Sequence, residues 1–156
     1  MYEDIVRDFA VRSVSNLNLI QEATKNGNEN AFEVTAEVST LLSLIVFPIE
    51  KLYESIPKTP IEALIAKGWP NIQKYETIRK SLCLREFMKN MRHALAHGNI
   101  KAKQSESGDE IAGLEFWNCE PRTKKEIWRT YLSIENIKLL VHELANLIAT
   151  LPIKSN

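Results

Sequence analysis

The sequence predicts an all-α fold, a helical bundle of four to five helices with a small β-hairpin inserted before the last one. Three observations carry this expectation. Apolar residues recur at three- and four-residue spacing over long stretches. Helix cap and stop residues bracket those stretches. One region, about residues 111–132, instead sets aromatic and polar residues on either side of a turn.

In chain order, residues 2–24 place Val6, Phe9, Ser13, Leu17 and Ile20 on one helical stripe, and Asn26, Gly27 and Asn28 end it in a turn. Asn30 can cap a second, longer helix reaching about Tyr53. Its residues 41–47 are apolar nearly all round, which suits a core or a subunit interface. Pro48 removes a backbone donor there, so a kink or local break is expected. Thr59, Pro60 and Glu62 combine a capping box with a proline at the start of a short helix that ends near Gly68. Trp69 and Pro70 mark a connection. A fourth helix is expected from about Thr77 to His97, stopped by Gly98. Residues 101–110 are polar and loop-like. The hairpin strands, residues 111–118 and 126–132, carry Phe116, Trp117, Ile127, Trp128 and Tyr131 around a turn at 119–123. Ser133 can cap a last helix from Ile134 to about Leu151, with a stripe of Ile137, Leu140, Val141, Leu144, Leu147 and Ile148. No repeat, low-complexity tract or composition break divides the chain, so residues 1–156 read as a single domain.

A chain of 156 residues can bury a real core, and 44% hydrophobic with 26% charged residues is ordinary for a soluble globular protein. The longest apolar stretch, residues 41–49, is far shorter than the roughly 20 residues of a membrane span. Glu3, Asp4, Arg7 and Asp8 interrupt any early apolar run, so no signal peptide and no membrane partner are expected. Cys83 and Cys119 lack metal-ligand spacing and read as two reduced thiols of a cytoplasmic protein. Lys+Arg and Asp+Glu balance at 20 each, yet the charge is uneven. From Arg79 to Lys103 seven basic residues stand against Glu86 alone, a net +6, which leaves −6 elsewhere. Such a field attracts a polyanion. Equally, its charges can pair with acidic neighbours in space, and the sequence leaves both readings open.

At about 100° per residue, Leu84, Phe87, Met88, Met91, Ala94 and Leu95 share the core side of the fourth helix. Arg85, Glu86, Lys89, Asn90, Arg92, His93, Ala96 and His97 take the other side. Arg92 and His97 bound an arc of roughly 140°, with His93 and Ala96 between them. Arginine's planar fork matches phosphate oxygens and a developing phosphorane, and histidine moves protons near neutral pH. Metal-free RNA cleavage needs such a set: an acceptor for the 2′-hydroxyl proton, a donor for the leaving 5′-oxygen, and a cation at the phosphate. His97 at the helix C-terminus should have its charged form favoured by the helix dipole. One copy of the set is short of acid–base groups, and two copies across a two-fold axis would form a symmetric cluster. Competing readings exist. His93 and His97 stand at the i, i+4 spacing by which helices chelate zinc, but the glutamate of a zinc protease is missing and His142 lies in another helix. No metal and no cofactor are expected. His97 as a helix cap, with Arg92 in a surface ion pair, is the structural alternative.

Residues 92–97, RHALAH, resemble the HEPN superfamily motif: an arginine, then Asn, Asp or His, three residues, and a histidine. The segment Phe32-Glu33-Val34-Thr35, the apolar run ending in Pro48, the stretch RHALAHGN at 92–99, and a hairpin followed by a final helix are similar to a small plasmid- and genome-borne subfamily of HEPN nucleases. The resemblance implies an HEPN-like bundle and a metal-independent endoribonuclease that cleaves by transesterification, leaving a 2′,3′-cyclic phosphate. It also implies a homodimer in which two motifs form one composite site. Carried onto this sequence, Arg92 and His97 would be catalytic, Arg92 polarising the scissile phosphate and His97 transferring protons. His93, Lys89, Arg85 and Asn99 would bind or orient substrate. The implied partners are RNA, a second copy of the chain and a nucleotidyltransferase antitoxin, because family members act in toxin–antitoxin, phage-defence and RNA-processing systems. The alternatives are a non-catalytic module that binds a nucleotide, RNA or a protein partner, and a structural dimerisation protein.

Overall fold

The computed structural model describes residues 5–152. Its elements run α1 (Ile5–Lys25), α2 (Glu33–Leu41), a π-helical turn (Leu42–Val46), α3 (Phe47–Leu52), a 3-10 turn (Tyr53–Ser55), α4 (Ile61–Ile65), α5 (Leu84–Ala96), β1 (Ile100–Gln104), β2 (Ile111–Cys119), β3 (Glu126–Ser133) and α6 (Ile134–Thr150). Helix α1 packs against α2 and α6, while α5 lies between the π-helical turn and β2. Buried residues from all of these elements form one apolar cluster.

The π-helical turn sits where the sequence sets Pro48 into a helical run. A proline ring crowds the carbonyl four residues back and donates no hydrogen bond, and widening the helix by one residue per turn relieves both problems. Pro48 then begins α3 in a buried position, and Leu41, Leu44 and Ile45 fill the core beside it. On α1 the buried line runs through Val6, Ala10 and Leu17. Phe9, expected on that line, instead meets Phe47 edge-on with ring centroids 5.3 Å apart. Ser133 caps α6 as expected, its Oγ accepting from the Asn136 N–H at 3.2 Å. The expected caps of α2 and α4 do not form. Phe32 precedes α2 and Pro60 precedes α4, neither with a side-chain cap bond.

Two expectations are corrected. The chain is a mixed helix-and-sheet fold rather than an all-α bundle, because a three-stranded antiparallel sheet in the order β1-β2-β3 stands between α5 and α6. The hairpin is present as β2 and β3, and β1 widens it. Lys101 faces Glu115 in the β1–β2 register, and Lys103 reaches the same carboxylate diagonally at 3.1 Å. A short, lysine-bearing strand suits a sheet edge, where backbone pairing supplies the order and little apolar surface is needed. Such a strand carries almost no periodic signal. The inner face of the sheet sets Leu114, Phe116, Trp128 and Leu132 into the core, with Trp128 edge-on to Phe87 of α5 at 6.4 Å.

The second correction concerns α5, which starts at Leu84 and not near Thr77. Residues 70–83 instead meet the outer edge of β3. The Thr77 N–H donates to the Arg129 carbonyl at 2.9 Å. Buried Glu76 accepts from the Ser81 N–H (2.9 Å), the Ser81 hydroxyl (2.6 Å) and the Trp128 indole N–H (2.8 Å). Those tertiary bonds outweigh the weak helical pattern of this stretch.

Candidate functional site

The site begins with how α5 is closed. Cys83 stands in extended conformation before it, and the Glu86 carboxylate reaches back to accept the Leu82 N–H at 2.8 Å. At the other end, the Asn99 N–H donates to the Ala94 carbonyl at 2.9 Å and the Gly98 N–H to the Leu95 carbonyl at 3.2 Å. These are the paired bonds of a Schellman ending, and Gly98 provides the left-handed residue at φ 66° that the ending needs. His97 is the C-cap just past Ala96, the last helical residue, and β1 starts three residues later at Ile100, so Asn99 is held between helix and sheet. The core arc of α5 is buried at every position read from the sequence: Leu84, Phe87, Met88, Met91, Ala94 and Leu95.

A cavity of about 420 Å³ opens along the polar face of α5 and is closed on the far side by the β2–β3 end of the sheet. It brings together four of the sequence-predicted site residues, Lys89, His93, His97 and Asn99. Arg92 stands on the neighbouring flank. Its Nη2 donates to the Glu50 carboxylate on α3, its Nη1 lies 3.4 Å from His93 Nδ1, and its Nε is buried without a hydrogen-bond partner among the described residues. Arg85 is separated from the others. Its guanidinium donates to the carbonyls of Ile56 (2.8 Å) and Glu54 (2.9 Å), pairs with the Glu54 carboxylate at 3.3 Å and lies 5.1 Å from the centre of the Tyr53 ring. These contacts tie α5 to the 3-10 turn, and they leave Arg85 a structural clasp.

Half of the +6 excess of the segment is compensated in space by carboxylates from outside it. Arg79, Arg85, Arg92 and Lys103 pair with Glu86, Glu54, Glu50 and Glu115 respectively. Lys80, Lys89 and Lys101 have no carboxylate within 4.0 Å among the described residues. Of these, Lys89 lines the cavity. Burial holds the His93 ring below its usual pKa, and the charges of Arg92, Lys89 and His97 push the same way against a smaller opposing effect of Glu50. A guanidinium only donates, so His93 Nδ1 accepts from Arg92 and the neutral ring carries its proton on Nε2. His93 therefore offers a hydrogen-bond donor, while the His97 side chain is exposed at the end of the helix.

Three participants escape the motif. Glu50 is far away in sequence and shares no pattern with it. Asn90 and Asn118 line the cavity between α5 and β2, and the Asn118 Nδ2 donates to the Asn90 carbonyl at 2.9 Å. A signal for Asn118 does exist: it alternates with Leu114 and Phe116 on the inward face of its strand, where a polar residue is out of place. Among the described residues no group of three His, Cys, Asp or Glu side chains could hold a metal ion, and no helix is long and apolar enough to cross a membrane.

No curated protein matches the chain, and no solved structure does. A family model described as HEPN pEK499 p136 matches residues 1–155, so the match takes in the α5 motif, the sheet and the final helix together. That membership suggests a nuclease-like, toxin-like or nucleotide-binding module. The chain belongs to the HEPN superfamily, in the family that this description names.

Proposed function

We propose that this protein is a metal-independent endoribonuclease acting as a homodimer, with Arg92 and His97 as its catalytic pair. The observation that carries the reading is the grouping of Arg92, His93 and His97 at the exposed end of one helix, beside a cavity that also holds Lys89 and Asn99. The backbone phosphate would be met by Arg92 and Lys89, with the His93 Nε2–H as an additional donor. The 2′-hydroxyl attacks phosphorus, forming the P–O2′ bond and losing its proton. The P–O5′ bond breaks, and the leaving oxygen takes a proton. His97 of one copy and its symmetry mate would divide these two transfers, which explains how a single acid–base histidine per chain can suffice.

Support for the dimer comes from an apolar strip beside the motif. Ile5 and Phe9, one turn apart on α1, and Phe47 on α3 are exposed, and Phe47 lies one turn before the Glu50 that holds Arg92. A two-fold contact over this strip would bring two copies of the α5 end together. The domain acts as one unit over residues 1–156 in this reading, in the cytoplasm, and a toxin role opposite a nucleotidyltransferase antitoxin extends it. Because the Arg92 fork is occupied by Glu50, a binding module without turnover is the second reading.

The test is cleavage of a mixed-sequence RNA by purified protein in EDTA, beside Arg92→Ala and His97→Ala. Each substitution should lower the rate roughly 10²–10⁴-fold. Undiminished cleavage in both variants defeats the assignment. Salt-dependent RNA binding with no turnover selects the second reading.

A further inference from the structure

The cavity beside the histidines has a wall that the phosphate chemistry does not use. Glu86, Asn90, His93 and His97 follow one another at four-, three- and four-residue steps, so they form a single stripe along α5 that lines it. The cationic part of that stripe is at its C-terminal end. The N-terminal part is rich in acceptors, and Asn118 faces it from β2.

The orientation of both amides follows from their partners. Asn118 Nδ2 points to the Asn90 carbonyl at 2.9 Å, and a carbonyl only accepts. Asn90 Nδ2 points to Ser81 Oγ at 3.1 Å, while that hydroxyl gives its own proton to the buried Glu76 carboxylate at 2.6 Å. Ser81 Oγ can then only accept, so Asn90 must present nitrogen to it. Each amide nitrogen uses one of its two N–H donors this way, which fixes the orientation of the amide, and neither Oδ1 has a hydrogen-bond partner among the described residues. Two fixed amide oxygens are therefore offered to whatever fills the cavity, beside a Glu86 carboxylate already held by the Leu82 N–H and by Arg79. Tyr53, Pro121 and Ile127 supply apolar surface around them, and about 420 Å³ is within the range of small-ligand sites.

Resting on the ribonuclease reading above, we propose that this cavity is a nucleobase subsite, and that Asn90 and Asn118 select bases bearing an exocyclic amino group, adenine, cytosine or guanine, over uracil. An amino group donates to the waiting oxygens. Uracil presents two carbonyls and one N–H, so it would leave acceptors facing acceptors in a partly buried place. Asn90 is three residues from His93, about 4.5 Å of helical rise, so a base held there belongs to a nucleotide next to the scissile phosphate.

The experiment uses the full chain and four short oligonucleotides, each with one ribonucleotide step in a deoxy background and each carrying A, C, G or U beside that step. Cleavage is read directly, and binding is read with the four all-deoxy counterparts, with deoxyuridine in the U member. The wild-type protein should process and bind the amino-bearing members at least roughly 10-fold better than the uridine member. Asn118→Leu, close in shape but without an acceptor, should lower the three favoured substrates most and bring the ratio to within about 2-fold. Equal handling of all four by the wild type, or a preference for uridine, overturns the subsite. Cleavage without a base ratio does so while leaving the nuclease reading intact. A base ratio in binding without any cleavage upholds the subsite and removes the nuclease reading. The wild-type ratios decide the matter even where Asn118→Leu fails to fold.

Discussion

Arg92 on α5 gives its guanidinium to the carboxylate of Glu50 on α3, 42 positions earlier in the chain. The pair is half-exposed, so it contributes little to stability, on the order of 0–1 kcal/mol. Its larger effect is on availability, since a phosphate must displace or share the carboxylate to reach the fork. Glu50→Gln should therefore tighten RNA binding by up to about 5-fold at low salt and leave the melting temperature nearly unchanged. Fluorescence anisotropy against a salt series reads this directly, and weaker binding by the variant would count against Arg92 as the phosphate contact.

His93 offers a second measurement. With burial raising the cost of its charged form and the charges of Arg92 and Lys89 adding to it, its folded pKa lies below the ordinary value of 6.5. The unfolded ring therefore binds a proton more readily than the folded one. The site's stability contribution is intact above about pH 6.5 and is lost as the pH falls through that value toward the folded pKa. Arg92→Ala and Lys89→Ala should each move the His93 titration upward in an NMR pH series. No movement in either would mean that the guanidinium and ammonium do not act on the ring.

Glu37 has the opposite sign. Its side chain is fully buried between α2 and α6, neither carboxylate oxygen has a hydrogen-bond partner among the described residues, and the nearest charge is the Lys138 ammonium at 4.0 Å. Burial pushes its pKa up to about 7. The folded chain then holds a proton that the unfolded chain releases between pH 4.5 and about 7, so stability falls as pH rises through that window. Glu37→Gln should flatten this slope, gaining up to about 3 kcal/mol near pH 8 and nothing near pH 4. Denaturant midpoints at the two pH values test it.

Two glycines should respond to alanine for different reasons. A Cβ on Gly113 would lie 2.3 Å from the Leu132 carbonyl oxygen across the β2–β3 pair, so Gly113→Ala forces strand displacement at about 1–3 kcal/mol. A Cβ on Gly98 meets nothing within 4 Å, and its penalty is the left-handed φ alone, about 1 kcal/mol. Gly98→Ala should nevertheless reduce activity beyond its stability loss, because it turns the chain between His97 and Asn99. Thermal melts and initial rates on the same samples separate the two effects.

The apolar strip predicts the association state. Wild-type protein should scatter light as a dimer at micromolar concentration, and Phe47→Asp should yield a monomer with most cleavage lost. A wild-type monomer that still cleaves would remove the composite site.

The core arc of α5, the stop at Gly98, the Ser133 cap and the β2–β3 hairpin were legible in the amino-acid sequence because each depends on residues a few positions apart. Helical period, left-handed glycine and alternation are local physics, and the RHALAH motif lies within two turns of one helix. What lay beyond reach depends on partners distant in the chain. Strand β1 exists because β2 lends its backbone bonds, and residues 70–83 leave the helix because Trp128 and Ser81 satisfy Glu76. Arg85 and Lys89 look alike in sequence, yet one is bound to the 3-10 turn and the other is left at the cavity. Local spacing determined which side chains share the motif helix. Only the tertiary structure decided which of its charges are already taken, because an ion pair is set by proximity in space and a sequence pattern records proximity only along the chain.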